Sequence, residues 1–377
     1  MRYTITVLLA SAAAPAMAEP PSVVAGTPVV QSLVAQVIGE TGTPEVLLDQ
    51  GADPHSFQLR PTQAQALADA DLVFWVGPEL TPWLQRALDG VEGGGEVVTL
   101  LEAEGLHRQD FQHGHDHDHD DGHGHGHYDD HDDHDHGDDD HDSHDDHEHE
   151  DDHGHDEHGH DDGHDDHAHD DDHGHEHGDD EPGHDDHAHD DDHGHGDDHD
   201  HAHDGLDPHA WMNTGNAQVW INVIAARLSE HDPDNADTYA ANAEAARARI
   251  DEIEADVAAT LEPVADAPLI MFHDAYGYLS DQFGVNVAGN IALGDAAAPG
   301  AERIRELQAT LAEAGAVCVF PEVNHSSRYV DVVVEGTGVH VGAELDPAGM
   351  MLDYGPELYG ELMTQMAAQI AECVARD

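Results

Sequence analysis

The sequence predicts an α/β fold of two lobes with largely parallel sheets, joined by one long rigid helix, with a disordered His/Asp-rich loop interrupting the first lobe. Three observations carry this. Strand patterns alternate with helical ones over residues 21–112 and again from Ala267 onward, as in sheets covered by helices. Between these regions Asp234–Glu262 is a single Ala-rich helical pattern with no Gly or Pro inside it, and Ile250, Ile253, Val257 and Leu261 recur at three- and four-residue spacing. The stretch 113–204 contains no Leu, Ile, Val or Phe. With nothing to bury, it cannot offset the conformational entropy lost on ordering.

In chain order, Pro21–Gly26 and Glu45–Asp49 read as strands around an amphipathic helix at Val29–Gly39. Pro61 stands where a helix would begin. Asp71–Val76 is a near-continuous apolar run, as expected of a buried parallel strand. A helix at Leu80–Leu88 and a strand at Val97–Leu100 follow. After the His/Asp-rich stretch come a helix from Thr214 to Ser229 and then the long one, ended by Pro263 and Pro268. Strands are expected at Leu269–Phe272, Val285–Ala288, Ala316–Phe320 and Val339–Leu345. Helices are expected at Ala275–Phe283, Ala301–Ala314, Tyr329–Glu335 and Glu357–Arg376. The implied organisation is an N-terminal lobe of 19–112 and 205–233, a linker helix over 234–263, and a C-terminal lobe over 264–377.

The stretch 113–204 holds 32 of the 39 His, and Gly163–His175 recurs unchanged as Gly183–His195. An acidic linker needs no His every two or three residues. Imidazoles and carboxylates together are the ligand set of divalent cations, so the composition points to metal binding. Outside it 42 acidic residues still face 11 basic ones, of a formal net charge of −72 overall. Nucleic acid would be repelled, whereas cations are attracted.

Arg2, the apolar Ile5–Ala14 and the small-residue Ala16-Met17-Ala18 read as a signal peptide over 1–18. Its apolar run is shorter than the ~20 residues a bilayer crossing needs. No Cys follows it to take a lipid anchor. The mature chain is expected to begin near Glu19, outside the cytoplasm. In that oxidising compartment Cys318 and Cys373, the two Cys of the chain, are expected to pair. Two buried free thiols are the alternative.

Three His fall at strand-to-helix junctions: His55, His209 and His273. Asp346 directly follows the last expected strand. Ligands of open α/β sheets bind beyond the carboxyl ends of the strands, so four such positions point to one site in a cleft between the lobes. Each alone would be an ordinary surface or capping residue. His340, within an apolar strand, is expected to be a buried core residue, and His107 to be flexible near the loop. Asp274 is placed either to hydrogen-bond His273 or to cap a helix.

The segments GADPHSFQLRP (51–61), DADLVFWVGPEL (69–80), LDPHAWMN (206–213), MFHDAYGYLSDQFGV (271–285), FPEVN (320–324) and ELDPAG (344–349) resemble, in this order, the ZnuA-type zinc-binding components of ABC importers, within the cluster 9 metal-binding family. The resemblance implies two lobes with a metal buried between them. It implies His55, His209 and His273 as imidazole ligands and, because Pro54 beside His55 cannot supply the acidic neighbour that some members use, Asp346 as the fourth, with water as the other candidate. It further implies zinc capture in the periplasm and delivery to an ABC permease subunit; a monomer is expected, and the density of His and Asp in 113–204 marks it as a weak zinc collector. Three imidazoles and one oxygen suit tetrahedral Zn²⁺, whereas manganese favours more oxygen ligands. Manganese or iron binding within the same family, and a free-standing periplasmic zinc buffer, are the alternatives. A hydrolytic zinc enzyme is disfavoured, since the chain has no HExxH pattern and no residue clearly placed as a general base.

Overall fold

The computed structural model describes residues 20–91, 94–111, 205–292 and 300–376. The expected leader at 1–18 and the His/Asp-rich stretch at 113–204 lie outside the described residues. The first sheet is formed by β1 (Val23–Ala25), β2 (Glu45–Val46), β3 (Leu72–Trp75) and β4 (Glu96–Thr99), all parallel, in the order β2-β1-β3-β4. The second repeats the plan with β5 (Leu269–Met271), β6 (Val287–Asn290), β7 (Cys318–Val319) and β8 (His340–Val341), parallel and ordered β6-β5-β7-β8. In each, the chain leaves its first strand to one side and returns to the other, so the first and third strands flank the point where ligands are bound in open sheets.

The helices begin where the sequence marks them. In the first half α1 (Pro28–Ile38), α2 (Pro61–Asp69) and α3 (Pro82–Gly90) each start with Pro, whose missing N–H costs nothing in a first turn. The Asn213 side chain caps α4 (Thr214–His231) by accepting from Asn216 N at 3.1 Å. The long helix is α5 (Ala236–Leu261), 26 residues and so about 39 Å. The second half adds α6 (Gly277–Phe283), α7 (Ala301–Ala314), α8 (Arg328–Val334) and α9 (Leu358–Val374). Among the described residues no helix is long and apolar enough to cross a membrane.

The two sheets share a core. One continuous set of buried apolar side chains runs from β1 and β3 through α1, α4, α5 and α9 to β5 and β7. A smaller cluster around Ile270, Phe272, Leu307, Leu311 and Val330 is packed with the second sheet. The closing helix α9 lies against α5 and α1 as well as against its own half. Gly360 makes the approach to α5 possible, since a Cβ there would stand 3.0 Å from Ile253. Tyr359 of α9 donates from its backbone N–H to Ser32 of α1 at 3.1 Å and from its hydroxyl to the Trp211 carbonyl at 3.0 Å. The Trp211 indole in turn donates to the Pro347 carbonyl at 2.9 Å.

Several strands are shorter than their apolar runs. Past Val46 one backbone bond remains, Leu47 N donating to the Ala25 carbonyl at 3.0 Å, and the Leu47 carbonyl then accepts from the Gln63 side chain at 2.6 Å. The run 339–345 forms a two-residue strand; it breaks where the Phe320 ring covers Gly342 and resumes as a bridge between Glu322 and Leu345. His340, on this edge strand, is half-buried and not part of the core. His107 is held: its backbone exchanges hydrogen bonds with the Asn216 side chain at 2.8 and 2.9 Å, and its ring meets the Asp281 carboxylate at 3.1 Å.

Cys318 of β7 and Cys373 of α9 form a disulfide, fully buried, across 55 residues of sequence. Closing a loop of that length removes entropy from the unfolded chain worth about 4 kcal/mol. The paired variant Cys318→Ala/Cys373→Ala is expected to lose about 2–5 kcal/mol of stability. Thermal unfolding with and without reductant checks this, since reductant should then lower the melting point of the parent and leave the variant unchanged.

Candidate metal centre

The three His identified from the sequence converge. A donor nitrogen of His55, His209 and His273 lies within 4.8 Å of one from each of the others. Their ring centroids are 5.3–6.0 Å apart. His209 and His273 are 2% and 4% exposed, while His55 is partly open to solvent. The Nε2 atoms of His209 and His273 stand 3.5 Å apart. Two nitrogens bound to one tetrahedral zinc at about 2.0–2.1 Å would be about 3.3 Å apart, so the spacing already suits a shared ion.

Each His is placed by its own local structure. His55 lies in the connection from β2 to α2. The Asp53 carboxylate accepts from His55 N at 2.9 Å and from the Ser56 hydroxyl at 2.8 Å, and the Trp83 indole donates to the Pro54 carbonyl at 2.7 Å. His209 repeats the turn: Asp207 Oδ1 accepts from His209 N at 2.9 Å. The same oxygen lies 2.8 Å from His209 Nδ1, and Asp207 Oδ2 accepts from the Gln109 side chain at 3.2 Å. His273 follows β5, and its Nδ1 is hydrogen-bonded to Glu322, which follows β7. Glu322 also accepts from the Tyr276 hydroxyl at 2.9 Å.

These carboxylates decide the tautomers. A carboxylate oxygen accepts, so Nδ1 of both His209 and His273 carries the proton and Nε2 is left as the donor atom. A cation between the two Nε2 atoms would be held by both. Burial alone would raise the Glu322 carboxyl, but the His273 imidazole and the Tyr276 hydroxyl outweigh it and hold it below its usual value. Burial, with the Glu322 charge close by, pushes the Tyr276 hydroxyl well above its own, so it remains a donor.

Asp346 lines the same cavity but is outside the group of donors within 4.8 Å of one another. Its two oxygens accept from Met350 N at 2.8 Å and Met351 N at 2.7 Å. Burial raises its carboxyl despite these amides. The loop it organises is tied across the cleft, with Gly51 N donating to the Met350 carbonyl at 2.9 Å and Gln50 to the Leu352 carbonyl at 3.2 Å.

Two residues that the sequence did not single out belong here. Glu322 is 1% exposed and His325 half-buried, and with His273 they form a second group whose donor atoms lie within 4.8 Å of one another. Burial lowers the His325 imidazole below its usual value, against the opposing charge of Glu322. Asp207 had a visible signal: Asp-Pro-His occurs at 53–55 and again at 207–209. Glu322 had a weaker one, its place just beyond an apolar run in FPEVN. Asp274 offers a carboxylate next to His273, but the one on Nδ1 comes from 49 residues away.

Fold and site together define an α/β binding protein in which three imidazoles converge between two parallel sheets. A family model described as zinc-uptake complex component A, periplasmic (ZnuA), matches residues 23–373, and the chain belongs to that family. A high-affinity zinc uptake system protein ZnuA of Paracoccus denitrificans (strain Pd 1222) is 43% identical over 98% of this chain and 96% of its own. Its namesake in Brucella suis biovar 1 is 35% identical over 92% and 89%. A crystal structure of ZnuA superposes with a TM-score of 0.62 at 17% identity, covering 94% of this chain and 98% of the other. FpvC of Pseudomonas aeruginosa in complex with Mn²⁺ gives 0.64 at 17%, covering 95% and 99%. At such identity these structures support the fold alone.

The carboxylates behind the imidazoles should govern affinity. Asp207→Asn and Glu322→Gln are each expected to weaken Zn²⁺ binding at the cleft by about 10–100-fold. Competition titration against a chelator of known affinity checks this, with circular dichroism confirming that each variant is folded.

Proposed function

We propose that this chain captures Zn²⁺ in the periplasm and delivers it to the membrane permease of an ABC importer, acting as a monomeric carrier and not as an enzyme. The reading rests on one observation above all: the 3.5 Å between the Nε2 atoms of His209 and His273, with His55 alongside. His55, His209 and His273 are the nitrogen ligands. Asp346 supplies the fourth, an oxygen, with water as the other candidate. To ligate, Asp346 shares or gives up one of its amide hydrogen bonds, so its contribution is smaller than that of any imidazole.

The naming of the relatives as zinc uptake proteins supports zinc over manganese or iron, as does a site with three nitrogens. Competition between Zn²⁺ and Mn²⁺ for the cleft decides between these readings. A permease pull-down separates a transporter component from a free-standing buffer. The His/Asp-rich stretch 113–204 is assigned as a weak collector that raises the local concentration of zinc near the cleft.

Metal analysis and titration test the division of labour. His55→Ala, His209→Ala and His273→Ala should each abolish the tight zinc, and Asp346→Asn should weaken it. A chain lacking 113–204 should retain one tight zinc and lose the weaker ones. Loss of the tight zinc on that deletion would refute the reading.

The shared core and the uninterrupted α5 also support a small adjustment on metal binding and not a wide hinge. Small-angle scattering is expected to show nearly the same radius of gyration with and without zinc. A large compaction would overturn this.

A further inference from the structure

His325 has no part in the three-imidazole cluster, yet it is built into the cavity wall with care. The turn Glu322–His325 is closed by His325 N donating to the Glu322 carbonyl at 3.3 Å. Its third residue, Asn324, has φ 68°, the sign that a type II turn requires there and that Asn tolerates better than most residues. No other non-glycine residue among those described has a positive φ. The turn brings the His325 ring onto Phe272, stacked at 4.4 Å with planes 21° apart, and within 6.0 Å of the His273 ring. Phe272 is buried, so the stack holds the imidazole in one orientation.

The result is two overlapping sets of donors. His273 is common to both: one set joins it to His55 and His209, the other to Glu322 and His325. The sets differ in access. His209 and His273 are 2% and 4% exposed, whereas His325 is half-buried between exposed neighbours, Asn324 and Ser326. An ion passing from water to buried ligands in one step would lose its hydration before gaining its replacements, and removing a charge from water is expensive. Exchanging waters for protein donors one at a time avoids a bare intermediate.

We propose that His325, with Glu322 and His273, forms a second, transient cation site through which the metal enters and leaves the cleft. This rests on the zinc-capture reading above and adds a route to it. His325 takes the hydrated ion first, Glu322 supplies an oxygen as water is shed, and the ion passes to His273 as His209 and His55 close around it. No covalent bond is made or broken: Glu322 shares its oxygens between the ion and the hydrogen bonds from His273 and Tyr276, and the released waters balance the donors gained.

A residue that serves only the route must change rates without changing the equilibrium. The test uses the full-length chain and Zn²⁺ alone, followed by stopped-flow tryptophan fluorescence. The Trp211 ring lies 5.3 Å from that of His209, which places it to report the cleft. Release is followed after mixing the loaded protein with excess chelator. His325→Phe keeps an aromatic ring on Phe272 and removes both donor nitrogens, and His325→Gln does so without the ring. Both variants are expected to slow capture and release by the same factor, about tenfold, with affinity and one tight zinc per chain retained. Weakened affinity with unchanged capture would make His325 an equilibrium ligand or a structural support, and unchanged rates would remove it from the route. Either result overturns the proposal. Failure of the underlying reading is separate: it would show as tight zinc surviving His209→Ala.

Discussion

A buried carboxylate stands behind each of two buried imidazoles, Asp207 behind His209 and Glu322 behind His273. Without these pairs either ring could turn, or could carry its proton on the nitrogen that faces the cleft. With them the two Nε2 atoms, 3.5 Å apart, are the ones placed to hold a cation. The rest of the site keeps the pairs dry and fixed. Tyr276 and Gln109 occupy further carboxylate lone pairs, and Trp211 closes the floor while tying α9 and the 346–352 loop to the first half.

The identical strand order of the two sheets places this chemistry. In the second half His273 and Glu322 follow β5 and β7, the first and third strands, whose carboxyl ends flank the topological switch. The pairing of ligand and supporting carboxylate is therefore a direct result of parallel strands lying side by side. In the first half the supporting acid of His209 is local, Asp207 two residues before it, while Asp53 holds the backbone of His55 and not its ring. One site thus combines two ways of fixing an imidazole, by short-range turn and by sheet topology.

This division explains what the sequence makes legible. Helix starts at Pro28, Pro61 and Pro82, the long α5 and the buried run at β3 are local properties, and they fall within a few residues of their predicted places. So do His55, His209 and His273, because position relative to a strand end is also local. Glu322 and His325 are not legible in this way. Their relation to His273 spans about fifty residues and depends on β7 pairing with β5. The lengths of β2, β7 and β8 were overestimated for a related reason. An apolar run shows that a segment is buried, not that its backbone groups are paired in a ladder, and side-chain and bridge hydrogen bonds take over beyond Leu47 and Gly342.

The chain enters and leaves its longest polar stretch through a small antiparallel clasp. Asp110 pairs with Leu206, Phe111 N donates to the Gly205 carbonyl at 3.1 Å, and Asp207 N to the Gln109 carbonyl at 2.9 Å. The clasp ends on the same Asp207 that orients His209. The described chain is thus closed on either side of that stretch by backbone hydrogen bonds. Each doubling of such a loop costs only about 0.6 kcal/mol in closure entropy. Repeats like 163–175 and 183–195 can therefore be gained or lost over evolutionary time while the clasp itself keeps its hydrogen bonds.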